Sequence, residues 1–132
     1  ILVWKAIGEG LLPPGCRYIV PMVDARRMEV YSAVFDTKGE RLSDIRPAII
    51  DSESFSRELS DGAVLFIGDG AGKCSDVIRS GNAHFVQCCP DAKSMLVPAL
   101  RAWKEKRFED TAYFEPFYLK QFVATVSKKN LF

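Results

Sequence analysis

Residues 63 to 72 are Ala63-Val64-Leu65-Phe66-Ile67-Gly68-Asp69-Gly70-Ala71-Gly72, an apolar run that passes directly into a glycine-rich turn. An unbroken apolar run of this length, bounded by turn residues, predicts a strand buried inside a sheet. The residues that follow, 73–79, are predicted to be helical. A strand that passes through a tight turn into a helix is typical of an α/β protein, in which helices connect parallel strands.

Three antiparallel strands are predicted before this stretch. An apolar run between turns supports the first, and strict alternation of side chains supports the second. A turn with Gly39, which is free to take positive φ, leads to the third, whose far end Pro47 places at a sheet edge. Asp51 or Ser52 is predicted to cap a short helix that ends at Leu59. The predicted strands are residues 18–23, 28–35 and 40–50.

After the glycine-rich turn and its helix, the pattern predicts a strand at residues 84–88 and a longer helix at residues 91–106. Pro98 would delete a hydrogen bond inside that helix, so the helix either kinks there or starts later. The order βββαβαβα, with a mixed sheet covered by helices, is that of the ribonuclease-H-like fold, from which the actin and Hsp70-like ATPase superfamily builds each of its halves. The expected core face of the longer helix comprises Ala92, Met95, Leu96, Ala99, Leu100 and Trp103.

The chain divides into three predicted segments. Residues 1–12 begin with Ile1 in place of Met and contain an apolar stretch stopped by Gly8 and Gly10, which indicates the end of a helix from an absent amino-terminal half. Residues 13–112 are predicted to form the ribonuclease-H-like lobe. Residues 113–132 are a tail rich in aromatic side chains, which are expected to dock on the domain or to anchor a partner.

Composition indicates one folded, soluble domain. Hydrophobic residues make up 48% of the chain and the charges balance to +1, which argues against disorder and against a dedicated nucleic-acid module. The four cysteines, two of them adjacent, suit neither a disulfide framework nor a zinc site, so a reduced, cytoplasmic protein is expected. No apolar run approaches the roughly 20 residues that span a bilayer, so no membrane partner is expected.

The glycine-rich turn is the first candidate site. Gly68, Asp69, Gly70 and Gly72 follow a strand, at the place where open α/β sheets bind ligands, and could expose backbone amides to the phosphate of a nucleotide cofactor. The spacing does not match a P-loop, because three residues separate Gly68 from Gly72 and Cys74 stands in place of the hydroxyl residue. A tight turn without a ligand is the alternative.

Asp24 is the second candidate for cofactor binding. It lies in the turn between the first two predicted strands, where aspartates of this superfamily handle phosphate or metal, although Asp is also common in surface turns. The adjacent arginines could bind a phosphate or a partner's carboxylate. A basic patch at the end of the long helix could contact RNA. For both groups, side chains that simply face solvent are the alternative. The candidates for partner or RNA contact are Arg26, Arg27, Arg101, Lys104, Arg107 and Tyr118.

No residue set is predicted to carry catalysis or to bind a metal. His84 is the only histidine, so zinc chemistry that needs a histidine pair cannot be built from this chain alone. Cys88 and Cys89 have no base near them in sequence, so a packing role is expected. No cofactor is expected for this fragment by itself.

Three segments together resemble the carboxy-terminal half of the bacterial TsaB family, also called YeaZ. They are residues 21–31, the Gly68-Asp69-Gly70 turn and the closing Pro116-Phe117-Tyr118-Leu119-Lys120. The long closing form from Tyr113 is similar to Bacteroidetes-type members. The resemblance implies an actin-like fold with two ribonuclease-H-like halves. It also implies a scaffolding and dimerisation role beside TsaD and TsaE, which install threonylcarbamoyladenosine next to the anticodon of tRNA, with the transfer chemistry in TsaD.

The resemblance further implies that this chain is not an enzyme, that binding of ATP or ADP is possible only in the full-length complex, and that tRNA is contacted indirectly through that complex. Two other functions stay open. One is a nucleotide-binding lobe of an actin-like ATPase that uses Asp24 and the glycine-rich turn. The other is a glycoprotease-like peptidase, for which the sequence offers no set of nucleophile, base and metal ligands. Because one lobe is absent, the chain is also expected to self-associate through uncovered apolar surface.

Overall fold

A computed structural model describes residues 1–116 of the chain. Tyr118, the closing motif beyond residue 116 and most of the predicted aromatic tail lie outside the described residues. The elements of the described part, in chain order, are α1 (Leu2–Gly8), β1 (Cys16–Asp24), β2 (Glu29–Ser32), β3 (Phe35–Asp36), β4 (Arg46–Ile49), α2 (Ser56–Asp61), β5 (Ala63–Gly68), α3 (Ala71–Cys74), β6 (Ala83–Gln87), a 3₁₀ turn (Lys93–Met95) and α4 (Leu96–Lys104).

The strands form one mixed sheet in the order β4-β2-β1-β5-β6, with β3 also paired to β1. β1 runs antiparallel to β2 and β3 but parallel to β5, and β5 runs parallel to β6. The two parallel connections contain α2 and α3. The predicted mixed sheet of a ribonuclease-H-like lobe is therefore confirmed, as is the edge position of Pro47 on β4.

β5 lies at the centre of the core, because all six of its residues are buried. Val64 and Phe66 face a cluster that includes side chains of α2 and α3, whereas alternate residues face α1 on the other side of the sheet. A strand covered on both faces must be apolar along its whole length, which explains the unbroken run in the sequence. The cluster beneath α1 consists of Leu2, Val3, Ala6, Ile19, Leu65 and Ile67.

The second predicted strand, residues 28–35, is wrong in its extent, because the structure divides it into β2 and β3. Val34 interrupts the ladder: its N–H donates to Ser43 Oγ at 2.8 Å, and its carbonyl accepts from Leu42 N–H at 2.7 Å. The third predicted strand, residues 40–50, shortens to β4 for the same reason, since its first part forms this loop. An alternating sequence predicts extended backbone, but here the hydrogen bonds that join Val34 to Leu42 and Ser43 set where strand pairing stops.

The predicted cap of the next helix is also wrong. α2 begins only at Ser56, and Phe55 before it has φ 58° and offers no side-chain cap. The Asp51 carboxylate instead accepts from Glu53 N–H, while Ser54 Oγ accepts from Asp51 N–H, both at 2.9 Å. These bonds close a turn in place of the first helical residues, as short polar side chains often do.

α3 begins at Ala71 and ends at Cys74, whereas the sequence predicted a helix over residues 73–79. Ser75 ends it by bonding back to the Gly72 carbonyl, both through its N–H at 3.3 Å and through its Oγ at 2.7 Å. A serine hydroxyl that binds a carbonyl of the preceding turn competes with helix propagation. β6 lies within one residue of its predicted position.

The long carboxy-terminal helix starts later than residue 91, as Pro98 indicated it could. A 3₁₀ turn precedes α4, and Pro98 lies in the first turn of α4, where backbone N–H groups have no helical partner. The predicted core face is wrong, because no residue of α4 is buried and Trp103 is 70% exposed. No helix within residues 1–116 has the length and apolar character needed to cross a membrane.

An ion pair joins α1 to the segment before the 3₁₀ turn. Lys5 Nζ lies 2.6 Å from Asp91 Oδ2 and 2.9 Å from Glu9 Oε1. Asp91 also accepts a hydrogen bond from Ser94 N–H at 2.8 Å, which supports the start of the turn. The hydrogen bond from Lys5 holds the pKa of Asp91 well below its usual value, and the two carboxylates raise the pKa of Lys5.

Replacing Asp91 with asparagine is expected to lower stability near neutral pH and to have little effect in strong acid. The folded-state pKa of Asp91 lies below the ordinary value of 3.8, so the pair stabilises the fold above that value and loses its contribution as the pH falls through the folded-state pKa. Denaturant unfolding of wild type and Asp91→Asn from about pH 7 to about pH 2 measures this. Asp76→Asn at an exposed position is the control, and a stability difference independent of pH would contradict the prediction.

Candidate functional site

The carboxyl ends of three neighbouring strands, β1, β5 and β6, meet at one edge of the sheet. Asp24 ends β1, Asp69 follows β5 and Gln87 ends β6. Asp24 N–H donates to Asp69 Oδ1 at 2.8 Å, and Gln87 Nε2 donates to the Asp69 carbonyl at 2.8 Å. We call Asp24, Asp69, Lys73 and Gln87 the strand-end cluster. Its position is the one at which open α/β sheets bind ligands.

The glycines of the turn let it approach β1 closely. Gly68 has φ +142°, and a Cβ at this position would lie 2.1 Å from the carbonyl oxygen of Met22. A Cβ on Gly70 would lie 2.9 Å from Val30 Cγ1, and the Gly70 N–H donates to the Met22 carbonyl at 3.0 Å. The turn therefore needs glycine for packing against β1, whether or not it also meets a ligand.

Two backbone amides of the turn have partners within the chain. Gly70 N–H donates to Met22, and Gly72 N–H donates to Gln87 Oε1 at 2.7 Å. A phosphate would have to replace the glutamine oxygen to reach the second amide. These two hydrogen bonds are compatible with a tight turn that has no ligand. Nucleotide binding by Gly68, Asp69, Gly70 and Gly72 stays a prediction.

Asp24 is held by a lysine that the sequence analysis did not select. Lys73 Nζ lies 2.5 Å from Asp24 Oδ1 and donates to the Glu29 carbonyl at 2.8 Å. Asp24 also accepts from Arg26 N–H at 3.0 Å. The hydrogen bond from Lys73 is the main cause that lowers the pKa of Asp24. Near neutral pH this carboxylate is ionised and paired, so it is suited to holding a cation and not to donating a proton.

Lys73 and Gln87 are the members of the strand-end cluster that sequence reasoning missed. Gln87 ends its strand, and Lys73 directly follows Gly72. The rule that the ends of parallel strands meet at one sheet edge could have found Gln87. The pairing of Lys73 with Asp24 joins residues 49 positions apart and has no local signal.

Within residues 1–116, no hydrogen bond or ion pair joins the side chains of the predicted basic residues to the strand-end cluster. Arg26 and Arg27 follow Asp24 in the β1–β2 turn with φ of 77° and 49°, and both are exposed. Left-handed backbone at two successive residues other than glycine costs about 1 kcal/mol or more each. Arg101 instead stacks on Trp4, and Lys104 is exposed at the end of α4.

Within residues 1–116 no hydrogen bond joins His84 to a thiol, and Cys74 directly follows Lys73 of the strand-end cluster. His84 is exposed on β6, which is an edge strand. Burial raises the pKa of Cys16, Cys74 and Cys88, which disfavours the nucleophilic thiolate. Residues 1–116 contain no group of three or more His, Cys, Asp or Glu side chains placed to hold a metal ion.

No protein-family model and no curated protein matches this chain. Two similar solved structures are described as YeaZ from Pseudomonas aeruginosa and as an uncharacterized protein from Pseudomonas aeruginosa with similarity to peptidase YeaZ. The first has a TM-score of 0.65, 21% identity and covers 89% of this chain. The second has a TM-score of 0.72, 18% identity and covers 90%.

This chain spans about half the length of those structures, 55% of each. At these identities the likeness concerns the fold. With the sheet order, it establishes that residues 1–116 have the α/β architecture of a ribonuclease-H-like lobe of the YeaZ type.

Proposed function

We propose that this chain is a non-catalytic scaffolding subunit of the complex that makes threonylcarbamoyladenosine in tRNA, with TsaD and TsaE homologues as its partners. The observation that supports this is the likeness of about nine tenths of the chain to solved YeaZ structures. The residue pattern around Asp24 and Gly68, which resembles the TsaB family, supports it independently of the fold. The four free thiols suit a reducing, cytoplasmic setting for this work.

The contacts of the strand-end cluster also support a role without catalysis. Asp24 is paired with Lys73, and the N–H groups of Gly70 and Gly72 donate within the chain, so these groups have structural uses. A catalytic site needs reactive or hydrogen-bonding groups that are free to contact a substrate. The proposed catalytic activity therefore belongs to the partner protein, and this lobe holds that partner in position.

Co-purification with TsaD and TsaE from the same organism tests the proposal. We expect a tagged form of this protein to retain TsaD, and the modification of tRNA by purified components to require its presence. Turnover by this protein alone that Asp24→Ala abolishes would contradict the non-catalytic role. Failure to retain TsaD would contradict the partner assignment.

A nucleotide-binding lobe is the second candidate function. The position of Asp24 and Asp69 at the ends of parallel strands, with Lys73 of α3 bonded to Asp24, favours it. In this function Lys73 would leave its ion pair with Asp24 and bind a phosphate group of the nucleotide. Calorimetric titration with ATP and Mg²⁺ discriminates between the two. A heat of binding that the wild type shows and Lys73→Met does not show would support nucleotide binding. The absence of any heat of binding up to millimolar ATP would remove this candidate.

Self-association stays a prediction. It is compatible with the exposed apolar side chains of α4 and the turn before it, and sedimentation at several concentrations tests it. These side chains are Met95, Leu96, Val97, Leu100 and Trp103.

A further inference from the structure

A second concave site lies away from the strand-end cluster, between α1, the turn after β3, and α4. It is a cleft of about 410 Å³. Three of its lining residues are arginines, one from the turn after β3 and two from α4 and the segment that follows it. We call it the arginine cleft, and its lining includes Trp4, Gly39, Glu40, Arg41, Arg101 and Arg107.

Trp4 holds one of these arginines in place. The guanidinium carbon of Arg101 lies 4.9 Å from the centroid of the indole ring. Gly39 packs against the same ring so closely that a Cβ there would lie 2.7 Å from Trp4 Cζ2. A stacked guanidinium keeps its N–H donors at the rim of the plane and loses less side-chain freedom when it binds an anion.

The charges of the cleft favour an added anion. Arg101 lies 3.7 Å from Glu40, and Arg107 lies 2.5 Å from Glu105, with all four side chains about half exposed or more. Exposed pairs of this kind contribute at most about 1 kcal/mol, so an incoming anion can replace them. Arg41 makes no ion pair within residues 1–116, and three arginines against two glutamates leave one positive charge in excess.

We propose that the arginine cleft binds the phosphate group of a phosphate-bearing ligand, either a phosphate ester or free phosphate. The planar fork of arginine matches phosphate oxygens two at a time, and a phosphate, which has more oxygens than a carboxylate, can engage more guanidinium groups at once. Arg101 occupies a face of Trp4, so recognition is directed at the phosphate and not at a stacked base. This inference does not depend on the proposed function.

Tryptophan fluorescence can report on the cleft directly. The chain has two tryptophans, and Trp103 is 70% exposed, so Trp103→Phe leaves Trp4 as the one reporter. In this background we expect a saturable change on titration with inorganic phosphate or with a nucleoside 5′-monophosphate, compared with sodium chloride at matched ionic strength. Phosphorus NMR line broadening on the wild-type protein measures the same binding without the substitution.

Arg41→Gln is the informative variant, because Arg41 is exposed and makes no ion pair with any residue that the structure describes. It is expected to raise Kd about tenfold. Arg57→Gln, on the exposed surface of α2, is the matched control and is expected to leave Kd unchanged. Tighter binding of the monophosphate than of inorganic phosphate would identify an ester ligand, and equal affinity would identify free phosphate. No saturable response beyond that of chloride, or an unchanged Kd in Arg41→Gln, would overturn the proposal.

Discussion

Replacing Gly68 with alanine is expected to lower the free energy of unfolding by more than about 3 kcal/mol. The new Cβ would lie 2.1 Å from the backbone carbonyl oxygen of Met22, which no rotamer change can relieve. The residue also has φ +142°, a conformation that side chains other than glycine rarely adopt. The substitution therefore forces β5 away from β1 in the centre of the sheet. Urea unfolding monitored by circular dichroism measures the loss.

Two other glycines provide a graded comparison. Gly70→Ala places its Cβ 2.9 Å from Val30 Cγ1 and 3.2 Å from the Met22 carbonyl oxygen. These contacts are longer than the 2.1 Å contact at Gly68, so we expect a smaller loss. Gly81→Ala meets nothing within 4 Å and is expected to change stability by about 0.5 kcal/mol or less. If Gly68→Ala were as stable as Gly81→Ala, the close approach of the turn to β1 would be incorrect.

Replacing Phe66 with alanine is expected to cost about 3–5 kcal/mol. Phe66 is fully buried in β5, and its ring stacks on Phe85 with the centroids 5.0 Å apart. Phe55 packs against it edge to face at 5.4 Å. Truncation removes both ring contacts and leaves a cavity that the paired strands on either side cannot fill. Thermal and denaturant unfolding measure the loss.

Phe66→Leu and Phe114→Ala are the controls for this prediction. Leucine keeps much of the buried volume and should cost clearly less than alanine. Phe114 is 63% exposed, so its truncation should change stability by about 0.5 kcal/mol or less. Equal losses for Phe66→Ala and Phe114→Ala would contradict the core assignment.

Part of the site could be predicted because residues at strand ends are marked by local sequence. Asp24 and the glycine-rich turn each follow an apolar run, and the structure brings them together through the bond from Asp24 N–H to Asp69. The lysine that neutralises Asp24 could not be predicted, because it approaches from a separate element. Pairing of charges depends on which side chains the fold brings within a few ångströms, and sequence distance does not report this.

The arginine cleft illustrates the same limit. Arg101 and Arg107 were selected from the basic end of a helix, but nothing in sequence placed Arg41 or Trp4 beside them. The residues come from three separate segments, which only tertiary packing joins.

The apolar run at residues 63–67, the alternation after Asp24 and the order of strands and helices are local patterns, and these were sufficient to identify a mixed α/β sheet. A strand covered on both faces requires a continuous apolar sequence, so the pattern itself carries the information. The interruption at Val34 follows from its hydrogen bond to Ser43, and the apolar face of α4 is exposed in the part of the chain that the structure describes. Amphipathic spacing shows that a helix has an apolar face, but whether that face is covered depends on which surfaces lie opposite it.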